Sequence, residues 1–216
     1  MEFDPVAEAL NGTYYKTKNP TPDTGIAANI QTSFSATKGL ICIYNNAQEP
    51  DRRVIVLDYI RLLCTVAPAS AVSFRGLIAV DKKDRYSSGG SVLSTTPGNV
   101  SVTADSEKAS IARVNFGALT LNAEGAAPNP VHRLGKATIH GAIPVVLAEY
   151  ILTFGVRQSP GFQTLNGTAV QRQVVDFGPA VIPPGSSFVL HDWYPSNAAT
   201  AAEYEPEIAW IEKPRS

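Results

Sequence analysis

The sequence is short of charged residues and of the residues that favour surface helices. Only 17% of its 216 residues are charged, whereas Gly and Pro number 16 each and Thr, Val, Ser and Ala are abundant. β-branched residues favour strands, and Gly and Pro favour the turns between them. The hydrophobic share of 44% is too high for a disordered chain. The composition therefore predicts an all-β globular protein.

An excess of charge of one sign is also missing. The formal net charge is -1, and no block of five like charges occurs, so the surface that neutralises nucleic-acid phosphates is not apparent. No apolar run approaches the ~20 residues of a membrane span. The N-terminus carries Glu2 and Asp4 where a signal peptide carries bases. We expect neither nucleic acid nor membrane as a partner, and synthesis in a cytoplasm.

Cysteine is scarce as well. Cys42 and Cys64 both lie inside apolar runs, where a thiol packs like a small hydrophobic side chain. Nothing in the sequence marks an oxidising compartment, in which disulfides form. We expect two free, buried thiols.

The common motifs of phosphate, dinucleotide, zinc and acyl-transfer chemistry are absent, which weakens an enzymatic interpretation. His132 and His140 fall in one predicted strand, the run 131–142, and His191 falls in another, the run 186–193. His191 and Asp192, next to Trp193, are the only pair that suggests catalysis. We interpret these side chains as polar groups near strand ends, and we predict no catalytic residue, no metal ligand and no cofactor.

Several carboxylates cluster near the C-terminus, where two of them could form a glycosidase pair. Glu205 and Glu207 have the same parity along a predicted strand, so they point to one face of it. A solvated strand edge or salt bridges to basic loops explain the cluster equally well, and we favour that structural interpretation. The cluster consists of Glu203, Glu205, Glu207 and Glu212.

The segment after residue 80 supplies candidates for a protein interface. Two lysines already neutralise the acids of Asp81–Asp84, which disfavours a calcium site there. Arg85 and Tyr86 belong to the residue types enriched at interface centres, although Arg85 can instead pair with Asp81 or Asp84. Trp193 and Tyr194 are aromatic candidates. The predicted interface residues are Asp84, Arg85, Tyr86, Trp193 and Tyr194.

The chain divides into an N-terminal arm, residues 1–30, and one domain, residues 31–216. A short helix is expected up to Leu10, because Asn11-Gly12 ends it and the prolines of the following segment prevent another. The sequence leaves two positions open for the arm: it lies over its own domain, or it reaches a neighbouring subunit.

From residue 39 onward, short apolar or alternating runs are separated by turn residues, which is typical of antiparallel β domains. In Val54–Val66 both alternating faces are largely apolar, so one face meets the core while an arm, a loop or another subunit covers the other. Asp84–Gly90 and Ala123–Pro130 are predicted loops. The runs are 40–45, 53–66, 72–80, 100–103, 110–120, 131–142, 145–156, 170–177, 186–193 and 206–212.

Five stretches, taken together and in order, resemble virion proteins of tailed bacteriophages, in particular jelly-roll capsid decoration (cement) proteins. They are Val56–Leu62, Asp84–Gly90, Ala112–Ala118, Ile143–Val145 with Phe154-Gly155, and Ile182–Trp193. The resemblance implies an all-β, two-sheet antiparallel jelly-roll sandwich that forms a homotrimer. It also implies a place on the outer capsid surface, where the protein bridges major capsid proteins.

Other functions remain open on the sequence alone. A tail component, a head fibre or a receptor-binding domain is also β-rich, and a carbohydrate-active enzyme or lectin can occupy the same fold. A cupin-like protein would need a His-x-His metal motif, and a nucleoplasmin-like chaperone would need an acidic tail. This chain has neither sequence feature.

Overall fold

The computed structural model describes residues 4–48, 50–69, 73–94, 98–99, 109–138, 146–155, 172–197 and 199–214. The described residues contain one short helix, α1 (Pro5–Leu10). Their strands are β1 (Tyr14–Lys18), β2 (Ile26–Ala27), β3 (Lys38–Asn45), β4 (Val54–Val66), β5 (Arg75–Asp81), β6 (Tyr86–Ser94), β7 (Gly98–Asn99), β8 (Ala112–Leu121), β9 (His132–Thr138), β10 (Glu149–Phe154), β11 (Arg172–Phe177), β12 (Val181–Ile182), β13 (Ser187–Trp193) and β14 (Glu203–Lys213).

Two sheets pack face to face. Sheet 1 has the order β11-β10-β4-β14-β1-β7, with β12 beside β4 and β2 beside β14, and sheet 2 has the order β6-β8-β3-β13-β5-β9. Consecutive strands β3, β4 and β5 lie in alternate sheets, so the chain passes between the layers as in jelly-roll sandwiches. The predicted all-β, two-sheet sandwich is confirmed. One pair, β10 with β11, is parallel.

The space between the sheets is filled mainly by alternate residues of the long strands. Trp210 of β14 is fully buried and stacks on Tyr15 of β1, with ring centroids 6.2 Å apart. Phe74, Tyr150 and Tyr204 form a second aromatic group in the same core. Aromatic pairs of this kind add about 0.5–1.5 kcal/mol each beyond the area that they bury.

The N-terminal segment lies over its own domain, which is one of the two alternatives that the sequence leaves open. Asp4 caps α1 by accepting a hydrogen bond from the Val6 N–H at 2.9 Å, and the helix ends at Asn11 as expected. β1 then pairs along its whole length with β14. Because Tyr15 is anchored in the core, this strand is part of the sandwich rather than of a separate arm.

Strand β6 corrects one sequence prediction, since its first half was expected to be a loop. Gly89 and Gly90 have φ values of 82° and 63°, which glycine adopts without strain. The pairing of β6 with β8 shifts register at three places, as β-bulges do. Glycines in a bulged strand resemble glycines in a loop at the sequence level, which explains the error.

The outer face of β4 is covered in part by the chain's own N-terminus. Tyr59 packs beside Tyr14, Ala209 and Ile211, with Ala9 of α1 lying over them. Further along β4, Arg61 and Leu63 are partly exposed. At one end of this face, therefore, α1 supplies the cover that the sequence predicted.

Both cysteines are free and buried, as predicted. Burial raises the pKa of Cys42 to about 12 and that of Cys64 to about 11. The thiols thus stay protonated at neutral pH, and protonated thiols are poor nucleophiles.

Candidate functional site

A row of five side chains with alternating charge crosses the outer face of sheet 1, one from each of five neighbouring strands. Lys16 Nζ lies 2.8 Å from Glu207, which lies 4.0 Å from Arg61. Arg61 binds Glu149 through two guanidinium nitrogens, and Glu149 lies 2.8 Å from Arg172 Nε. We call this row the charge ladder.

The pairing register of the sheet places the ladder. Glu207 of β14 stands directly opposite Arg61 of β4, and Glu149 of β10 stands directly opposite Arg172 of β11. Residues opposite one another point to the same face and interact. The ladder is therefore a consequence of strand order and register.

The ladder keeps its two carboxylates ionised. Burial opposes the charge of Glu149, but hydrogen bonds and attraction from Arg61 and Arg172 outweigh burial and lower its pKa. For Glu207, burial is likewise outweighed by Lys16, by a hydrogen bond from Tyr59 and by Arg61, and its pKa is lowered. Neither group is a proton donor near neutral pH, as the acid of a glycosidase must be.

A shallow groove of about 270 Å³ lies beside the ladder on the same face. The Tyr59 hydroxyl donates to Glu207 at 2.6 Å, and the Tyr14 hydroxyl donates to Asp58 at 2.7 Å. The groove combines one aliphatic side chain with hydroxyl, guanidinium and carboxylate groups. It is lined by Asp58, Tyr59, Arg61, Ile151, Thr153 and Glu207.

Two of the predicted interface residues lie together on the outer face of sheet 2. Asp84 accepts hydrogen bonds from Arg113 at 2.6 and 2.7 Å. The Arg113 guanidinium carbon lies 5.3 Å from the centre of the Tyr86 ring, within cation–π range. Asp84, Tyr86 and Arg113 thus form a partly exposed group, the β6–β8 cluster. Arg113 was not singled out in the sequence.

Arg85 is fully buried, although it was predicted at the interface. It lies 3.1 Å from Asp81, which was one of its expected alternative partners. Its other guanidinium nitrogens donate to the carbonyl oxygens of Ala36 at 2.6 Å and Asn122 at 2.9 Å. The side chain binds three chain segments together, a structural role that removes it from the surface of the chain.

Trp193 and Tyr194 are also covered, and they point to opposite faces of sheet 2. Trp193 is 7% exposed and lies against Phe34, with ring centroids 5.8 Å apart. Tyr194 is 1% exposed, and its hydroxyl lies 2.8 Å from the Tyr204 hydroxyl in the core. The structure therefore does not bring them to the β6–β8 cluster.

The His191-Asp192 pair does not form a catalytic couple, because neighbouring residues of a strand point to opposite faces. His191 lies under Phe34, and its Nδ1 is 2.6 Å from the Lys38 carbonyl oxygen. Burial lowers the pKa of His191. His132 lies in β9, away from both, and His140 falls outside the described residues.

Asp192 points into the sandwich, with the same parity as Leu190 and Tyr194 of the main core. It is fully buried, and neither carboxylate oxygen has a hydrogen-bond partner among the described residues. Burial raises the pKa of Asp192 to about 7. The side chain is a buried polar group that the core leaves without a hydrogen bond among the described residues.

The C-terminal carboxylates serve different parts of the structure. Glu207 belongs to the ladder, and Glu205 accepts a hydrogen bond from the Asp23 N–H at 3.3 Å. Glu212 is buried, where it accepts from Trp210 Nε1 at 3.1 Å and pairs with Arg53 at 2.7 Å. The predicted salt bridge to a loop is found for Glu212, because Arg53 precedes β4. The basic partners of Glu207 lie instead on strands β1 and β4.

The four ladder residues other than Glu207 were not singled out from the sequence. Arg61, Glu149 and Arg172 illustrate why. Each is an isolated charge within an otherwise apolar or mixed run, and such a charge gives no signal of its partner. The only hint of a polar surface here was the position of Arg61, which lies on the less apolar face of its strand.

Among the described residues, no helix is long and apolar enough to cross a membrane, and no group of three or more His, Cys, Asp or Glu is placed to hold a metal ion. Comparisons with protein-family models, with curated proteins and with solved structures found no match for this chain.

Proposed function

We propose that this chain is a non-enzymatic capsid decoration protein of a tailed-phage virion, which binds the outer face of the major capsid protein shell and bridges capsomers. The proposal starts from the resemblance of the five sequence stretches. Three of them occupy central strands, namely β4 of sheet 1 and β8 and β13 of sheet 2. The resemblance thus covers strands that define the sandwich.

The observation that carries the non-enzymatic part is the ionised state of the ladder carboxylates. A glycosidase needs one carboxyl group with a raised pKa to act as acid, whereas the pKa values of Glu149 and Glu207 are both lowered. Glu212 has a raised pKa, but it is buried and holds Arg53. The open face of sheet 1 is therefore better suited to binding than to acid catalysis.

The β6–β8 cluster is the part of the predicted interface that we propose as a contact with the shell. Arg and Tyr are enriched at interface centres, and Asp84 and Arg113 are partly exposed. A weak individual contact is sufficient if one bound oligomer of the chain makes several of them. After the first contact has formed, the others act at high effective concentration.

The first test is the copy number of the chain in purified virions, measured by quantitative mass spectrometry against the major capsid protein. Hundreds of copies agree with decoration of the shell. A few to a few dozen copies favour the alternative, a tail, head-fibre or receptor-binding component. Absence from the particle contradicts both functions.

A second test locates the contact. Purified protein is mixed with shells that lack it, and bound protein is measured after the shells are pelleted. Arg113→Ala should weaken binding, because it removes the centre of the β6–β8 cluster. Arg133→Ala, an exposed arginine of β9, is the matched control and should bind normally. Equal binding by both variants would place the contact elsewhere.

A further inference from the structure

The edge strand β11 differs from the other three sheet edges. β6 is interrupted by bulges and glycines, β7 has two residues, and β9 carries basic side chains and one register shift. Such features protect edges from pairing with other chains. β11 pairs with β10 over six consecutive residues without any shift. In the part of the chain that the structure describes, β10 is its only strand partner.

The direction of the backbone groups of β11 follows from one hydrogen bond. The Gly155 N–H donates to the Phe177 carbonyl oxygen at 3.2 Å, so the backbone groups of Phe177 point toward β10. Because this direction alternates along a strand, Gln173 and Val175 also point toward β10. The backbone groups of Arg172, Val174 and Asp176 therefore point away from the sheet.

We propose that two copies of this chain associate through their β11 edges, antiparallel about a two-fold axis, with Val174 opposite the partner's Val174. This register places Arg172 opposite the partner's Asp176, and the two-fold axis repeats that pair. All three facing residue pairs then have their backbone N–H and C=O groups directed at each other, and each pair exchanges two hydrogen bonds.

Charge complementarity selects this register. A shift of two residues in one direction places Asp176 opposite the partner's Val174, and a shift in the other places Arg172 opposite the partner's Val174. Only the Val174-centred register pairs both charges directly, and opposite charges in direct cross-strand pairs are stabilising whereas like charges are destabilising. Arg172 and Asp176 are both exposed and are thus available to a partner.

The same register extends the charge ladder across the contact. Arg172 already lies 2.8 Å from Glu149, and Asp176 lies on the same outer face, where Thr153 donates to it. In the pair, Arg172 stands between Glu149 of its own chain and the partner's Asp176. The alternation of charge thus continues from one copy into the next.

This contact concerns association between copies and is independent of binding to a shell. A two-fold contact produces pairs, whereas a homotrimer of the kind that the resemblance implies needs a different, head-to-tail contact. The two arrangements have different masses in solution, so the contact can be tested whether or not the chain decorates a capsid.

The test is a charge exchange on the full chain, followed by sedimentation velocity over a series of concentrations. Arg172→Asp and Asp176→Arg should each weaken the dimer by about tenfold or more, because each creates two like-charge pairs. The double variant R172D/D176R restores opposite charges across the contact and should dimerise more tightly than either single variant. Its recovery is partial, because the new carboxylate at position 172 also faces Glu149 of its own chain. Arg133→Asp, on the β9 edge, is the matched control and should dimerise normally. Circular dichroism checks that each variant folds.

A cysteine variant tests the register without changing charge. In this arrangement the two Val174 Cα atoms are about 5.5 Å apart, within the range of a disulfide. Under mild oxidation Val174→Cys should give a covalent dimer, whereas Val181→Cys, on the partly exposed strand β12, should not. The native thiols are buried and do not compete.

Three results would overturn the dimer contact, and a fourth would overturn its register. The first is a wild-type chain that stays monomeric at every concentration, and the second is an oligomer that neither charge reversal affects. The third is equal cross-linking of the two cysteine variants, which would indicate random collision. Loss of the dimer in both single variants without recovery in the double variant would reject the Val174-centred register.

Discussion

Replacing Asp192 with asparagine is expected to make the stability of the sandwich less dependent on pH. The carboxyl group is fully buried between the sheets, and neither oxygen has a hydrogen-bond partner among the described residues. Burial disfavours the charged form and raises the pKa of Asp192 from 3.8 to about 7. Asn keeps the size of the side chain and removes the charge.

The sign follows from the protons bound in each state. Below pH 3.8 the carboxyl is protonated in both the folded and the unfolded chain. Between pH 3.8 and about 7 the folded chain keeps its proton while the unfolded chain loses it, so stability falls as the pH rises. One pKa unit corresponds to about 1.4 kcal/mol, which makes the full loss above pH 7 about 4 kcal/mol.

The assay is urea unfolding of the wild type and Asp192→Asn from pH 4 to pH 8. The difference in the free energy of unfolding should shift in favour of the variant by up to about 4 kcal/mol across this range. The titration of His191 is common to both proteins and cancels in the difference. The buried amide of asparagine also changes the free energy of unfolding, equally at every pH. Only the change of the difference with pH is therefore diagnostic. A difference that does not change with pH would refute the reasoning.

Three further predictions concern Glu212, a glycine of β6 and the two cysteines. Glu212→Gln should lower the free energy of unfolding by about 2–4 kcal/mol, because it removes the negative charge of a buried ion pair with Arg53. Gly90→Ala should lower the free energy of unfolding by more than about 1 kcal/mol, since φ at this position is 63° and a Cβ atom would lie 2.4 Å from the Phe116 carbonyl oxygen. Gly178→Ala is the control. A Cβ atom there meets nothing within 4 Å, so the free energy of unfolding should change by less than about 0.5 kcal/mol. Both native cysteines should be unreactive toward a thiol reagent at pH 8 and should react in denaturant.

Each of these outcomes has a clear opposite. A Glu212→Gln variant as stable as the wild type would mean that the ion pair contributes no net stability. Equal effects at the two glycines would contradict the requirement for glycine at position 90 of β6. Rapid labelling of either cysteine in the folded chain would contradict its burial.

Much of the strand content was readable from the sequence, because alternation and turn residues are local signals. For example, α1 stops at Asn11, as Asn11-Gly12 predicted. Local signals failed at β6, where the bulge glycines have the composition of a loop. The predicted run 100–103 lies outside the described residues.

The candidate site was less predictable, because it depends on which strands become neighbours. The parity of Glu205 and Glu207 was correct, since a strand has a fixed period of two. The partners of Glu207, which are Lys16, Tyr59 and Arg61, come from three other strands. Likewise, the sequence offered Asp81 as a partner of Arg85, and the two do pair. The burial of Arg85, however, depends on segments that lie far away in the chain.

The sequence by itself determined the all-β class, the position of most strands, the end of the N-terminal helix and the burial of the two thiols. These features depend on composition and on periodicity over a few residues. The tertiary structure alone decided the strand order, the charge ladder, the enclosure of Asp192 and the direction of the β11 edge. Each of those depends on register between strands that are distant in sequence, and a period of two is compatible with many such registers.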